Sequence, residues 1–261
     1  MSLPPILYHY FKTPLPYIPT LALQEALHFI QLKQRRASDN HQDILLLLQH
    51  RPVYTGGRRQ LESELAVERA RLTNIGADFL RTQRGGQLTY HGPGQLVGYP
   101  LLDLGRTTPA MGIRDYICRM QKMIENHLQE AHGIAHIPSK HTGVFLNATT
   151  KVGSIGVQVR HRLTTHGFAF NVTSEPIAWF DEIVACGLAD VKAGCIERAA
   201  RKAVNVEDVV PDVVNAFGRL FERDMEKLEV EKAGEAGELI AEMEDEARKA
   251  GQWSKAPSPV S

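Results

Sequence analysis

The chain has 261 residues, 43% of them hydrophobic, and its 30 basic and 30 acidic residues balance to zero net charge. That composition excludes a disordered chain and a strongly basic nucleic-acid binder, and the length is enough to bury a substantial core. No apolar run approaches the ~18 residues of a membrane-spanning helix, and three cysteines without framework spacing predict a soluble protein of a reducing compartment.

The opening MSLPPILYHYFKTPLPYIPT holds four prolines in its first sixteen residues and no arginine, unlike a signal peptide or an arginine-rich presequence. Leu23, Ala26, Leu27 and Ile30 repeat at helical spacing and predict a helix over 21–35, with Thr20 as its cap. Ile44 to Leu48 reads as a buried strand, 62–73 as a helix, and Asp78 to Thr82 as a strand running into a glycine-rich loop. Leu96 to Leu102 is another strand. Thr108-Pro109 opens a helix with Ile113, Ile117, Met120, Ile124 and Leu128 on one face and Gly133 just past its end. Ile155, Val157 and Val159, and then Phe168, Phe170 and Val172, alternate with other residues as two antiparallel strands joined near His161–Thr165. Asn205 caps a last helix through Phe217 and Phe221, with Pro211 straining its early turns. Strands mixed with flanking helices predict an α/β (α+β) fold, a mixed sheet flanked by helices. Residues 229–261 carry eight acids against Lys232, Arg248, Lys249 and Lys255, a charge of −4 that leaves +4 on the rest. EKAGEAGELIAEMEDEARKAG is helical if it is anything, QWSKAPSPVS has the composition of a disordered end, and the segment reads as a charged, flexible C-terminal extension to a domain spanning 1–228.

The densest chemistry lies at 84–99, RGGQLTYHGPGQLVGY. Five glycines there let backbone approach a ligand closely, and Arg84, Gln87, Thr89, Tyr90, His91 and Gln95 stand between them. Extended to RGGQLTYHGPGQLVGYPLLDL, the run resembles the signature of the lipoyl(octanoyl) transferases. HRPVYTGG at 50–57, KVGSIGVQVR at 151–160, HGFAFNV from 166 and ACGLAD ending at 190 match the same family in the expected order. The matching region covers roughly residues 40–200.

The resemblance implies a biotin/lipoate protein ligase-type catalytic domain. It also implies transfer of an octanoyl or lipoyl group from acyl carrier protein to a lysine of lipoyl domains, through an acyl-cysteine intermediate. Its partners would be octanoyl-acyl carrier protein, the lipoyl domains of 2-oxoacid dehydrogenase complexes and the glycine cleavage H protein. The enzyme would be a monomer without cofactor, nucleic acid or membrane partner. It would be mitochondrial if the source is eukaryotic and cytoplasmic otherwise. Two alternatives stay open: an ATP-dependent lipoate or biotin ligase of the same superfamily, and a non-catalytic protein that binds lipoyl domains.

Covalent acyl transfer needs a side chain that is both nucleophile and leaving group, which a cysteine thiolate is. Read alone, the three cysteines do not separate: Cys118 falls inside a predicted helix, Cys195 starts another, and Cys186 precedes a glycine. A buried cysteine more often packs than reacts. The family match assigns the acyl-accepting role to Cys186 and makes Lys151 the group that lowers its pKa and serves as base. His91 and His166, rival bases on residue type alone, become wall residues. Arg84, Gly85, Gly86, Gln87, Leu88, Thr89, Tyr90 and His91, with Ser154, Ile155, Gly156, Gly167, Phe168 and Ala169, are placed by the same match around the acyl chain and its thioester. His132, His136 and His141 share no helix face and predict no metal site. Arg58, Arg59, Arg160, Arg162, Arg198, Arg201 and Lys202 read either as solvated surface or as docking charge for acidic partners.

Overall fold

The computed structural model describes residues 3–38, 41–184, 187 and 190–258. The run Ile44–Leu48 lies in β2 (Asp43–Leu48), whose six residues are all buried. Side chains leave a strand alternately on its two faces. Leu45 and Leu47 therefore enter one apolar layer, and Ile44, Leu46 and Leu48 the other. A strand buried on both faces belongs mid-sheet. β2 pairs in parallel with β1 (Ile6–Tyr10) and antiparallel with β6 (Gln95–Leu101). Next to β6 come β9 (Leu163–Asn171) and β8 (Thr150–Arg160), joined by a tight turn at His161 and Arg162 with φ of 52° and 67°. β7 (Val144–Asn147) pairs antiparallel and β10 (Lys192–Ala193) parallel with β8, while β11 (Met225–Lys227) lies parallel to β1 at the far edge. The sheet is mixed, as expected. A smaller sheet sets β3 (Val53–Gly56) between β4 (Asp78–Arg81) and β5 (Thr89–His91).

Helices cover both faces of the large sheet. On one, α3 (Ile113–His132) and α6 (Val206–Phe221) pack Tyr116, Met120, Ile124, Val213 and Phe217 against Leu45, Leu96 and Phe170. On the other, α1 (Tyr17–Ser38) lays Leu23, Leu27 and Ile30 against Leu46, Val97 and Tyr99. The small sheet buries Tyr54 and Tyr90 with Leu72 of α2 (Glu62–Asn74) and Trp179 of α4 (Glu175–Phe180).

Several expected boundaries move. Thr20 lies within α1 instead of capping it, and its hydroxyl donates to the Pro16 carbonyl at 2.7 Å. α3 begins at Ile113, not at Thr108-Pro109, because the Met111 amide is taken by the Leu104 carbonyl at 2.9 Å and the helical pattern starts with Tyr116 bonding Gly112. Gly133 does end that helix, with φ of 64°. Asn205 stands at the start of α6, yet its amide meets the Asp208 carboxylate at 2.9 Å instead of a backbone amide. Pro211 is carried inside the helix.

The largest departure is the C-terminal segment. Instead of a flexible extension, residues 234–249 form α7 (Gly234–Lys249), which buries Ile240, Met243 and Ala247 in the layer beneath α1. That spacing is a narrow one-sided stripe on an otherwise charged helix. Glu244 meets His9 at 3.1 Å and, beyond the helix, the Arg51 guanidinium lies 5.1 Å from the Trp253 ring centre. Burying Ile240 and Met243 offers about 1.5–3 kcal/mol each, enough to hold a helix that propensity alone leaves marginal.

Candidate active site

The glycine-rich loop between β4 and β5 is held from three sides. The Gly85 amide donates to the Val157 carbonyl of β8 at 3.0 Å, and the Arg58 amide donates to the Arg84 carbonyl at 3.1 Å. The Arg84 side chain, almost fully buried, donates to the Thr55 hydroxyl at 2.7 Å and to the Gln87 carbonyl at 3.0 Å, closing the loop on itself. Gly86 has φ of +90°, a conformation that L side chains rarely adopt.

This loop, β8 and β9 enclose a cavity with α1. Arg84, Gly86, Thr89 and His91 line it on one side; Ser154, Ile155 and Gly156 come from β8 and Gly167, Phe168 and Ala169 from β9. Tyr17, Tyr99 and His166 complete the wall. The register explains the meeting, since Ser154, Ile155 and Gly156 pair directly with Ala169, Phe168 and Gly167.

Lys151 is the second residue of the same strand, three positions before Ser154. It is 8% exposed, its Nζ lies 5.6 Å from the Phe145 ring centre, and its carbonyl accepts the Gly194 amide at 2.8 Å. It borders a second cavity with Gln95, Ser154, Asn171, Phe180 and Val191, and Ser154 is common to both cavities. A side-chain relay braces the two. Gln95 Nε2 donates to Asn171 Oδ1 at 2.9 Å, so its Oε1 accepts from His91 Nδ1 at 2.7 Å, and Asn171 Nδ2 donates to the Gly194 carbonyl at 2.9 Å.

The assignment of Cys186 falls outside the described residues. Its described neighbour Gly187 packs against Gln87: a Cβ added there would lie 2.3 Å from Gln87 Oε1. Cys118 is exposed on α3, and Cys195 is buried at the start of α5 (Ile196–Ala200), where burial pushes its thiol up.

A family model described as the lipoyl protein ligase A/B catalytic domain matches residues 16–218. The chain belongs to that family. An octanoyltransferase of Caldicellulosiruptor saccharolyticus is 36% identical over 208 residues, covering 78% of this chain and 87% of that protein. The mitochondrial octanoyl-[acyl-carrier-protein]:protein N-octanoyltransferase of Danio rerio is 37% identical over 185 residues, covering 71% and 80%. Among solved structures, lipoate-protein ligase A bound with ATP shares the fold at a TM-score of 0.66 and 16% identity, covering 98% of this chain and 99% of that one. The lipoyl protein ligase fold expected from the motifs is therefore the fold observed.

Within this lipoyl protein ligase A/B domain, ten of the fourteen expected substrate-lining residues share the one cavity. Gly85 lies on a neighbouring cleft, and Gln87 and Leu88 face another beside Gly187. Tyr90 does something else: its ring stacks on Trp179 at 5.4 Å and 7°, in the small sheet's core. Tyr17 carries no motif signal, while His50 opens HRPVYTGG and Tyr99 closes the glycine-rich run without being singled out as site residues. His50 Nδ1 donates to the Leu15 carbonyl at 3.1 Å, so its Nε2 accepts the Tyr99 hydroxyl at 2.6 Å behind the wall.

The buried histidines at and behind the cavity wall are poor bases. Burial, then the His50 and Arg84 charges, holds His91 well below the ordinary imidazole value. Burial, then Arg84 and Arg160, pulls His166 down to about 3, and burial takes His50 to about 4. A base so weak accepts a proton badly at neutral pH.

These shifts also fix an acid instability. The unfolded chain protonates its imidazoles below about pH 6.5, whereas folded His50 and His166 stay neutral down to about 4 and about 3. The unfolded state then binds more protons, so stability falls as pH drops from 6.5. The loss is about 2 kcal/mol per histidine between pH 6.5 and 5. Urea unfolding at the two pH values should show a lower midpoint at pH 5, and His166→Gln should flatten the dependence. Equal midpoints for the parent would refute it.

Proposed function

We propose that this octanoyltransferase carries its acyl group on Cys186, taking it from octanoyl-acyl carrier protein and giving it to a lysine of a lipoyl domain, with Lys151 as the proton carrier. The observation behind this reading is the convergence of the motif segments. The glycine-rich loop, Ser154–Gly156 and Gly167–Ala169 line one cavity, and Lys151 opens on the space next to it across Ser154.

In the first half-reaction Lys151 takes the Cys186 proton, and the ammonium so formed stabilises the thiolate. The thiolate attacks the thioester carbonyl, the carrier's thiolate leaves with the proton from Lys151, and an acyl-Cys186 thioester remains. In the second half-reaction the acceptor amine attacks that thioester. Cys186 departs as thiolate, the amine's proton passes through Lys151 back to sulfur, and an amide is left. Backbone and small residues at Ser154–Gly156 face the transferring group and leave room for its developing oxyanion. Ile155 and Phe168 offer apolar surface to the chain, with each buried methylene adding about 0.8 kcal/mol. The acceptors are the lipoyl domains of 2-oxoacid dehydrogenase complexes and the glycine cleavage H protein, and the enzyme acts as a monomer without a cofactor. It works in mitochondria in a eukaryotic source and in the cytoplasm otherwise.

The test is octanoyl transfer to a purified lipoyl domain. Product from octanoyl-carrier protein without ATP supports the reading. Product only from free octanoate with ATP would make the chain an adenylating ligase.

Gly143 gives a second check. Its φ is +128°, and a Cβ there would sit 2.5 Å from both the Gly153 carbonyl and Lys151 Cε. Gly143→Ala should therefore dislodge Lys151, lowering kcat at least tenfold at a stability cost of about 1–3 kcal/mol. Steady-state rates beside a thermal melt check this; an unchanged kcat would mean that Lys151 need not stand where it does.

A further inference from the structure

The outer side of Lys151 opens on a cleft that the reaction scheme leaves unassigned. Arg58, Arg59, Lys140 and His141 stand along it, Ile113 forms an apolar rim at 51% exposure, and Gly85, Gly86 and Gly156 contribute backbone. No carboxylate lines it among the described residues. The side chains of Arg58, Arg59 and Lys140 are exposed and form no ion pair among the described residues, so their charge is not already neutralised. The cleft on the other side, past Gln87, differs: Glu64, Glu68, Asp181 and Glu182 lie there beside Arg59, Arg71 and Lys192. The two mouths therefore present different fields to an approaching polyanion, and Arg59 stands where they adjoin.

We propose that the cleft of Arg58, Arg59 and Lys140 is the docking surface for the acyl donor, an acidic carrier protein whose acyl thioester hangs from a phosphate-bearing arm. The inference rests on the octanoyl-transfer reading. Guanidinium groups suit a phosphodiester because their fork matches its oxygens. The uncompensated positive rim attracts an acidic carrier and speeds encounter. Ile113 gives the contact an apolar element. Gly86, Ile155 and Gly156 border both this cleft and the cavity behind the loop, so an arm laid along it leads its thioester inward past Lys151.

The experiment compares the parent with Arg58→Ala/Lys140→Ala and with Arg58→Glu in the full chain, each checked for a parental melting temperature. Two donors are used: octanoyl-carrier protein and the octanoyl thioester of N-acetylcysteamine, which has neither phosphate nor protein. KM for the carrier donor should rise about tenfold or more with kcat nearly unchanged. The salt dependence of kcat/KM should weaken, and the rate with the small thioester should stay parental. An unchanged carrier KM, an equal loss with both donors, or a rise in KM for the lipoyl-domain acceptor alone would overturn the assignment. If the parent transfers octanoyl from neither donor, the octanoyl-transfer reading fails, and the docking assignment falls with it.

Discussion

Cys186→Ala should abolish octanoyl transfer, cutting turnover by more than about a thousandfold, while the protein stays folded. A nucleophile that carries the acyl group has no substitute in a covalent route, so its removal stops both half-reactions at once. Of the other two thiols, Cys118 is exposed on α3 and Cys195 is buried where its thiolate is disfavoured. Cys118→Ser should accordingly keep the parental rate. Parallel assays of the two variants with octanoyl-carrier protein, beside circular dichroism, check this. Transfer by Cys186→Ala near the parental rate would mean that the acceptor amine attacks the carrier thioester directly.

The second large effect belongs to Lys151→Ala. Loss of a positioned acid–base group costs about 10²–10⁴-fold in rate, and on the proposed mechanism loss of the Lys151 cation would return the Cys186 thiol toward its ordinary pKa of about 8.5. Acylation should slow by that factor, and its pH optimum should move upward as hydroxide replaces Lys151 in making thiolate. The histidines of the wall cannot take over, since burial leaves His91 and His166 too weakly basic. A stopped-flow pH profile of the first half-reaction separates the outcomes. A uniform fall with an unmoved optimum would reduce Lys151 to a structural residue.

What the sequence revealed followed from locality. Ile44–Leu48 announced a buried strand because five apolar residues in a row fit no exposed element, and the stripe from Ile113 to Leu128 marked one face of α3. The hairpin of β8 and β9 was visible because its two alternating runs are neighbours in the chain. β1 and β11 were missed for the opposite reason: they pair in parallel across most of the chain, and five or three residues carry little pattern alone. The docking of α7 was missed, not its helical character, because charge dominates its composition, while Ile240, Met243 and Ala247 matter only once α1 is there to receive them.

The site divides likewise. Arg84, His91, Ser154–Gly156 and Gly167–Ala169 could be picked out from motifs, and β-sheet register then draws two of those segments together. Tyr17 comes from α1 with no local signal; Tyr99 closes the glycine-rich run and His50 opens HRPVYTGG, but only the fold brings Tyr99 to the cavity wall and His50 behind it through the Tyr99 hydroxyl. Tyr90 sits inside the motif yet turns to Trp179, because neighbours in a strand face opposite ways and Thr89 and His91 already take the cavity side.

The covalent route is tested most directly by the intact mass of the parent protein after mixing with octanoyl-carrier protein alone. The expected result is a gain of one octanoyl group, mapped to the peptide containing Cys186 and lost when a lipoyl domain is added. An unchanged mass, with octanoyl reaching the lipoyl domain only when donor and acceptor are present together, would contradict it.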